Sequence, residues 1–250
     1  MQPHRSRYWL NAKTKATDPL AFAEQVETIC TVYAYAPLLH ALGGHIVSCD
    51  EMTGIQALER IATTKPMQRG LTERREFEYV RHGTLSLIAN FDVVSGQVIA
   101  PSLGPRRTEA DFLAHIAQTI DTDPQAVWLF VTDQLNTHQS ESLVRLVAER
   151  GALSDQLGEK GQTGVMQSLA SRAAFLSDPS HRIQFVYVPK HTSWLNQVEI
   201  WFSILVRRVI KRSNFPSVDA LRERILAFIA YFNQTAKPFR WTYTGRPLVP

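Results

Sequence analysis

Val127-Trp-Leu-Phe-Val-Thr132 carries no charge and runs straight into an acid, Asp133. An uninterrupted apolar strand must be covered on both faces, as the middle of an α/β sheet is. The rest of the chain is therefore expected to supply helices for two faces. Asp18-Pro19 pairs an N-cap acid with a proline at the first helical position. Phe22, Val26, Ile29, Cys30 and Tyr33 then recur at helical spacing, which predicts a helix over 19–35. After Gly43-Gly44 comes His45-Ile-Val-Ser-Cys-Asp50, a short β-prone run that ends in two acids. Leu85–Phe91 and Gln97–Pro101 flank Ser95-Gly96 as a hairpin. Thr108 caps a helix containing Phe112, Leu113, Ile116 and Ile120, and a further helix is expected at about 140–150. Gly151, Gly158, Gly161 and Gly164 punctuate a loop, followed by a short helix over 165–176 and a strand over 183–188. A long helix from about Ser193 to Lys211 and an amphipathic one from Pro216 complete the chain. This order fits a mixed sheet flanked by helices in a ribonuclease-H-like α/β layout.

Three acids stand out in that layout. Asp50 and Asp133 each close a buried strand, and α/β sheets build their sites outside the carboxyl ends of strands. Either acid could equally begin a turn or cap a helix. Glu199 lies in Trp194-Leu-Asn-Gln-Val-Glu-Ile-Trp-Phe-Ser-Ile-Leu-Val, a helix apolar almost all round. At 100° per residue Asn196, Glu199, Ser203 and Arg207 form one polar stripe on it. An unpaired buried acid is expensive. A metal ion would satisfy Glu199, and so would a salt bridge to Arg207 or to a residue elsewhere. Phosphodiester chemistry gives such acids a reason to converge: paired hard cations activate the attacking oxygen and stabilise the leaving one. Magnesium prefers carboxylate and phosphate oxygens.

Charge agrees with a polyanionic partner. The chain carries +4 overall. Beyond Glu199 nine basic residues (Arg207, Arg208, Lys211, Arg212, Arg222, Arg224, Lys237, Arg240, Arg246) face two acids, Asp219 and Glu223, a local balance of +7. Basic segments of this kind bind phosphate backbones, although a solvated helix face has the same composition. Two cysteines in no metal spacing exclude a disulfide framework and a zinc ribbon, and a reducing cytoplasm is the default. No apolar run approaches the roughly 20 residues that span a bilayer.

Several strings together resemble one family: Asp50-Glu-Met-Thr-Gly-Ile-Gln56, Glu78-Tyr-Val-Arg-His-Gly-Thr84, Asp133-Gln-Leu-Asn-Thr-His138 and Pro189-Lys-His-Thr-Ser-Trp-Leu-Asn-Gln-Val-Glu199, with Trp201-Phe-Ser-Ile-Leu205 and Tyr231-Phe-Asn233 downstream. The chain resembles the DDE transposases, in the bacterial insertion-sequence branch of the mariner superfamily, from about Arg5 to Gly245. The resemblance implies a ribonuclease-H-like domain over 44–250 behind an N-terminal helical linker segment at 1–43. It implies two Mg²⁺ or Mn²⁺ ions, with Asp50 contacting both and Asp133 and Glu199 completing one each. Double-stranded DNA, both transposon ends and target, is the implied partner, bound by a homodimer. Glu51, Asn136, His138, His191, Trp194 and Asn196 are expected around the acids or positioning DNA, and Lys190, Arg207, Arg208, Lys211 and Arg212 on its backbone. Asn136 and His138 could equally fix the turn after Asp133.

This chain departs from the family's pattern in two ways. The interval from Asp133 to Glu199 is 199 − 133 = 66 residues, about twice the family's, which marks 151–182 as an insertion packed outside the centre. The resemblance also begins without the helix-turn-helix region that recognises transposon ends, which implies one product of a split or truncated frame. A ribonuclease-H-like nuclease without strand transfer and a DNA-binding relative without transposition are the alternatives. A carboxylate-pair glycosidase is a third, disfavoured by the basic C-terminal fifth.

Overall fold

The computed structural model describes residues 17–153 and 157–243; residues 1–16, 154–156 and 244–250 and the side chain of Arg212 lie outside that description. Five strands, β1 (His45–Arg60), β2 (Tyr79–Asp92), β3 (Val98–Gly104), β4 (Trp128–Thr132) and β5 (Ile183–Tyr187), form one sheet in the order β3-β2-β1-β4-β5. β1, β4 and β5 run parallel, and β2 and β3 are added antiparallel at the other edge. Among the described residues six α-helices cover it: α1 (Pro19–Ala41), α2 (Glu109–Ile120), α3 (Glu141–Arg150), α4 (Leu169–Leu176), α5 (Gln197–Arg208) and α6 (Val218–Gln234).

The two-faced burial expected of the apolar run is what β4 has. Val131 faces a core with Val26, Trp201, Leu205 and Ile225, whereas Trp128 and Phe130 face a second core with Phe112, Leu143, Met166 and Phe185. β1 alternates in the same way, Ile46 toward the first core and Val47 and Cys49 toward the second. The strand period of two thus sorts one sheet onto two helical layers, α1, α5 and α6 against α2, α3 and α4. Among the described residues no helix is long and apolar enough to cross a membrane.

The structure corrects two sequence expectations, the extent of β1 and the helix over 193–211, and adds packing detail to two others. β1 does not stop at Asp50; it runs ten residues further, to Arg60, because β2 continues to pair with it as far as Arg60↔Tyr79. The segment 1–43, expected as a helical linker, is helical and packed where it is described. α1 passes through Pro37 to Ala41 and buries Val26, Ile29, Cys30, Tyr33 and Ala36 in the first core. The expected helix over 193–211 is three pieces: a 3₁₀ turn at Ser193–Leu195, α5, and a second 3₁₀ turn at Ile210–Arg212. Residues 151–182, expected as an insertion packed outside the centre, contribute side chains to the second core. Met166 and Leu176 are fully buried in the second core, and the Arg172 Nε donates to the Gln139 carbonyl over 2.7 Å.

Candidate active site

The site is set by where β1 and β4 part. Their parallel pairing ends at Ser48↔Val131. Asp50 and Asp133 each stand two residues further on (50 − 48 and 133 − 131), so the register carries them to matching positions on neighbouring chains. Adjacent strands lie about 4.8 Å apart. β1 then leaves with β2 while β4 ends at Thr132, and a notch opens between the acids. Asp50 is therefore a mid-strand residue that nonetheless sits past the carboxyl edge of the parallel half of the sheet.

α5 starts at the same notch. The Ser48 hydroxyl oxygen accepts the Val198 N–H at 2.9 Å, tying β1 to the helix's first turn. Asn196, fully buried, donates through Nδ2 to the Cys49 carbonyl at 3.0 Å and to Asp50 Oδ2 at 3.1 Å. The other Asp50 oxygen accepts the Glu51 N–H at 2.8 Å. Burial drives the Asp50 carboxyl up to about 7, and the like charges of Asp133, Glu199 and Glu51 add to it against that N–H. Glu199 is half-buried and shifted upward, by burial first and by Asp133 second. Among the described residues it has no ion-pair partner, so the alternative of a salt bridge to Arg207 does not hold.

From the opposite face of β1, Glu51 is joined to Asp133 by a buried imidazole. His138 Nδ1 lies 2.7 Å from Asp133 Oδ1, and its Nε2 lies 3.1 Å from Glu51 Oε1. The ring rests on Phe112, with centroids 4.1 Å apart. Burial alone would lower the His138 pKa, but the two carboxylates outweigh it and push it up to about 9. Asp133 is pulled the other way: burial raises it, yet the His138 bond and charge hold it below its ordinary value. Arg107 adds a second cation, its Nη1 3.4 Å from Glu51 Oε2.

The remaining expected residues divide. Asn136 opens the 3₁₀ turn Asn136–Gln139 and is exposed. His191, in left-handed backbone at φ 63°, and Lys190 are exposed on the loop before α5. Trp194 is 49% exposed and meets Tyr243 edge-on. Arg207, Arg208 and Lys211 are exposed beyond Glu199, whereas the side chain of Arg212 lies outside the described residues. Ser203 is exposed and bonds only to the Glu199 carbonyl, 3.1 Å away; of the polar stripe, Asn196 and Glu199 meet the notch. α5 is buried on one face, through Val198, Trp201, Phe202 and Leu205, and not all round. Ser48 and Arg107 were not anticipated; Ser48 shares the Asp50 face of β1 by the period of two, but a lone serine carries no further signal.

Asp50 in β1 thus feels the charge of both Asp133, just after β4, and Glu199, in α5, and Glu199 feels that of Asp133. Among the described residues no three His, Cys, Asp or Glu side chains are gathered tightly enough to hold an ion as they stand. The sheet order, the strand directions and helices on both faces define a ribonuclease-H-like fold. Residues 45–222, which include all three acids, match the family described as DDE superfamily endonuclease, and the chain belongs to it.

Solved structures agree on the fold. The Mos1 mariner paired-end complex with Mn is 12% identical at a TM-score of 0.54, over 90% of this chain and 58% of that one. A pre-cleavage Mos1 transpososome is 11% identical at 0.54, with the same coverages of 90% and 58%. The catalytic domain of Mos1 mariner transposase is 13% identical at 0.52, over 90% of this chain and 85% of that one. The chain therefore spans about 58% of the length of the Mos1 chains in the two assemblies. No curated protein sequence matches it.

Proposed function

We propose that this chain is the catalytic domain of an insertion-sequence transposase, acting on DNA in a bacterial cytoplasm. It cleaves the element's ends and transfers the freed 3′-hydroxyl to target DNA, using two Mg²⁺ or Mn²⁺ ions held by Asp50, Asp133 and Glu199. The observation that carries this reading is the placement of Asp50 past the end of the β1–β4 pairing, Asp133 just after β4 and Glu199 in the first turn of α5, which is tied to β1 by the Ser48–Val198 and Asn196–Asp50 bonds, inside the family match. The donor set fits: three hard oxygen ligands suit such ions. Asp50 is disfavoured as a buried anion, and Glu199 has no cation of its own among the described residues. Ions bound there supply Lewis acidity to the reacting phosphodiester, while DNA and water complete their coordination.

The chain's own groups keep the acids in the required state. Asn196 and the Glu51 N–H hold both Asp50 oxygens. His138 keeps Asp133 ionised and fixes one of its oxygens, as partners behind a metal ligand do. Lys190, Arg207, Arg208, Lys211 and Arg212 meet the DNA backbone, and exposed His191, Trp194 and Asn136 border its path. The Mos1 neighbours support the partner and the cations. They are described as a paired-end complex with Mn, a strand transfer complex, and a catalytic domain with Mg. A homodimer in the DNA complex follows the same reading.

The test is a strand-transfer assay with duplexes carrying the element's terminal repeats and Mg²⁺. Asp50→Ala, Asp133→Ala and Glu199→Ala should each lose more than the roughly 100-fold that marks the upper range for residues behind a metal ligand, with far-UV circular dichroism unchanged. A variant that cleaves at the wild-type rate removes its residue from the assignment. Cleavage without end joining by the wild type would reduce the reading to a nuclease.

A further inference from the structure

A helix N-cap asparagine ordinarily turns its side chain back to the second or third N–H of its own helix. Asn196, the N-cap of α5, makes no such bond. Its amide reaches across to β1 instead, and the N–H it neglects, that of Val198, is taken by Ser48 from the strand. The Ser48 hydroxyl in turn donates to Asn196 Oδ1. Both side chains are fully buried. We infer that Ser48 and Asn196 are a positioning pair: they staple β1 to the first turn of α5 and thereby fix the Asp50 carboxylate relative to Glu199. This rests on the proposal that those two acids serve one reaction.

The hydrogen-bond inventory fixes the pair in a single orientation. Both protons of Asn196 Nδ2 are used, on the Cys49 carbonyl and on Asp50 Oδ2, and its oxygen accepts from Ser48. Ser48 both donates and accepts. Turning the amide over would aim its oxygen at two acceptors, and burial offers no water to relieve them. One residue upstream, the Leu195 carbonyl accepts the Tyr33 hydroxyl of α1 at 2.8 Å, so the entry to α5 is held from a second side. Glu199 lies three residues after Asn196, one turn along the same side of the helix. Any slip of α5 along β1 must therefore break the Ser48–Asn196 ring and move Glu199 away from Asp50 together.

The experiment compares Ser48→Ala, Asn196→Asp, the double variant and Asp50→Asn in the full chain. Its readouts are Mn²⁺ affinity by electron paramagnetic resonance on metal-stripped protein, thermal midpoint, and kcat and KM for DNA cleavage. Asn196→Asp keeps the size and the acceptor for Ser48 but has no amide to donate to Asp50, so it stays informative if Ser48→Ala fails to fold. Mn²⁺ affinity and kcat should each fall by about tenfold or more with the DNA KM unchanged. The double variant should lose no more than the worse single, because the two side chains act as one unit. Lowered midpoints with wild-type Mn²⁺ affinity and kcat would mean the pair only holds the fold together, and would overturn the inference. If Asp50→Asn also binds Mn²⁺ and cleaves as wild type, the functional reading itself fails and the inference falls with it.

Discussion

Asp50→Asn should stabilise the metal-free protein at pH 8 while removing its activity. An acid whose folded pKa is raised binds its proton more tightly in the folded state. Its contribution to stability is therefore present in full below the unfolded value of 3.8 and is lost as pH climbs through about 7. That displacement corresponds to roughly 4 kcal/mol against the ionised form at pH 8. An asparagine removes the charge but keeps one acceptor for two donors, the Glu51 N–H and Asn196 Nδ2. The mismatch costs about 1–3 kcal/mol. The net gain is about 1–3 kcal/mol, a rise of roughly 2–12 °C in thermal midpoint for a domain of this size. Near pH 5 the charge penalty falls to roughly 1–2 kcal/mol, which the mismatch offsets, so the gain should vanish. Thermal melts of both proteins in EDTA at pH 5 and pH 8 test this, and saturating Mn²⁺ at pH 8 should restore the wild type's standing. A variant no more stable than wild type at pH 8, or equally shifted at both pH values, would refute the electrostatic account of the notch.

His138→Gln should destabilise the protein by about 1–3 kcal/mol at pH 6, because it leaves buried Glu51 with Arg107 alone and removes the cation beside the part-exposed Asp133. The raised imidazole contributes fully below pH 6.5 and loses its contribution as pH rises through about 9, so urea titrations at pH 6 and 9.5 should show the gap narrowing; an equal gap at both argues against the charged clamp. Met166→Ala should cost about 2–5 kcal/mol by chemical denaturation, whereas a neutral result would take Met166 out of the second core. Replacing Lys190, Arg207, Arg208 or Lys211 by alanine should each lower the slope of log affinity against log salt by about 1 if it contacts a phosphate, and an unchanged slope removes that residue from the DNA path.

What could be read from the sequence depended on whether its cause was local. The β4 strand was legible because burial on both faces leaves an unbroken apolar run, and Asp133 was legible because it ends that run. Thr108 and Asp18 were readable as caps because a cap acts within its own helix. The extent of β1 was not, since residues beyond Asp50 are strand only because β2 pairs with them; Gly54, at φ 66°, breaks any pattern there. The burial of α5 was overestimated for a related reason. Ile200, read as one side of an all-apolar helix, is 38% exposed, and composition does not say which apolar face the sheet will cover. The link from Glu51 to His138 spans 87 residues and that from Ser48 to Asn196 spans 148, distances over which no local periodicity carries information.

The distribution of charge around the notch explains why its two sides are built differently. On the α2 side, Glu51 and Asp133 are met by two cations, His138 in its protonated form and Arg107. On the α5 side, Asp50 and Glu199 are met by none among the described residues, and Asp50 is held only by neutral donors. An arginine or lysine in place of Asn196 would satisfy the same oxygen and cancel its charge as well. An amide satisfies the oxygen and leaves the charge. The structure therefore fixes the direction of the Asp50 carboxylate without neutralising it, at the expense of the raised pKa. Negative charge concentrates on the two acids that face the opening, while the imidazolium side fixes one oxygen of Asp133 and leaves the other unbonded. Such a site stays strained until positive charge arrives from outside the chain, and for that reason stability without cations and function with them are expected to respond to Asp50 in opposite directions.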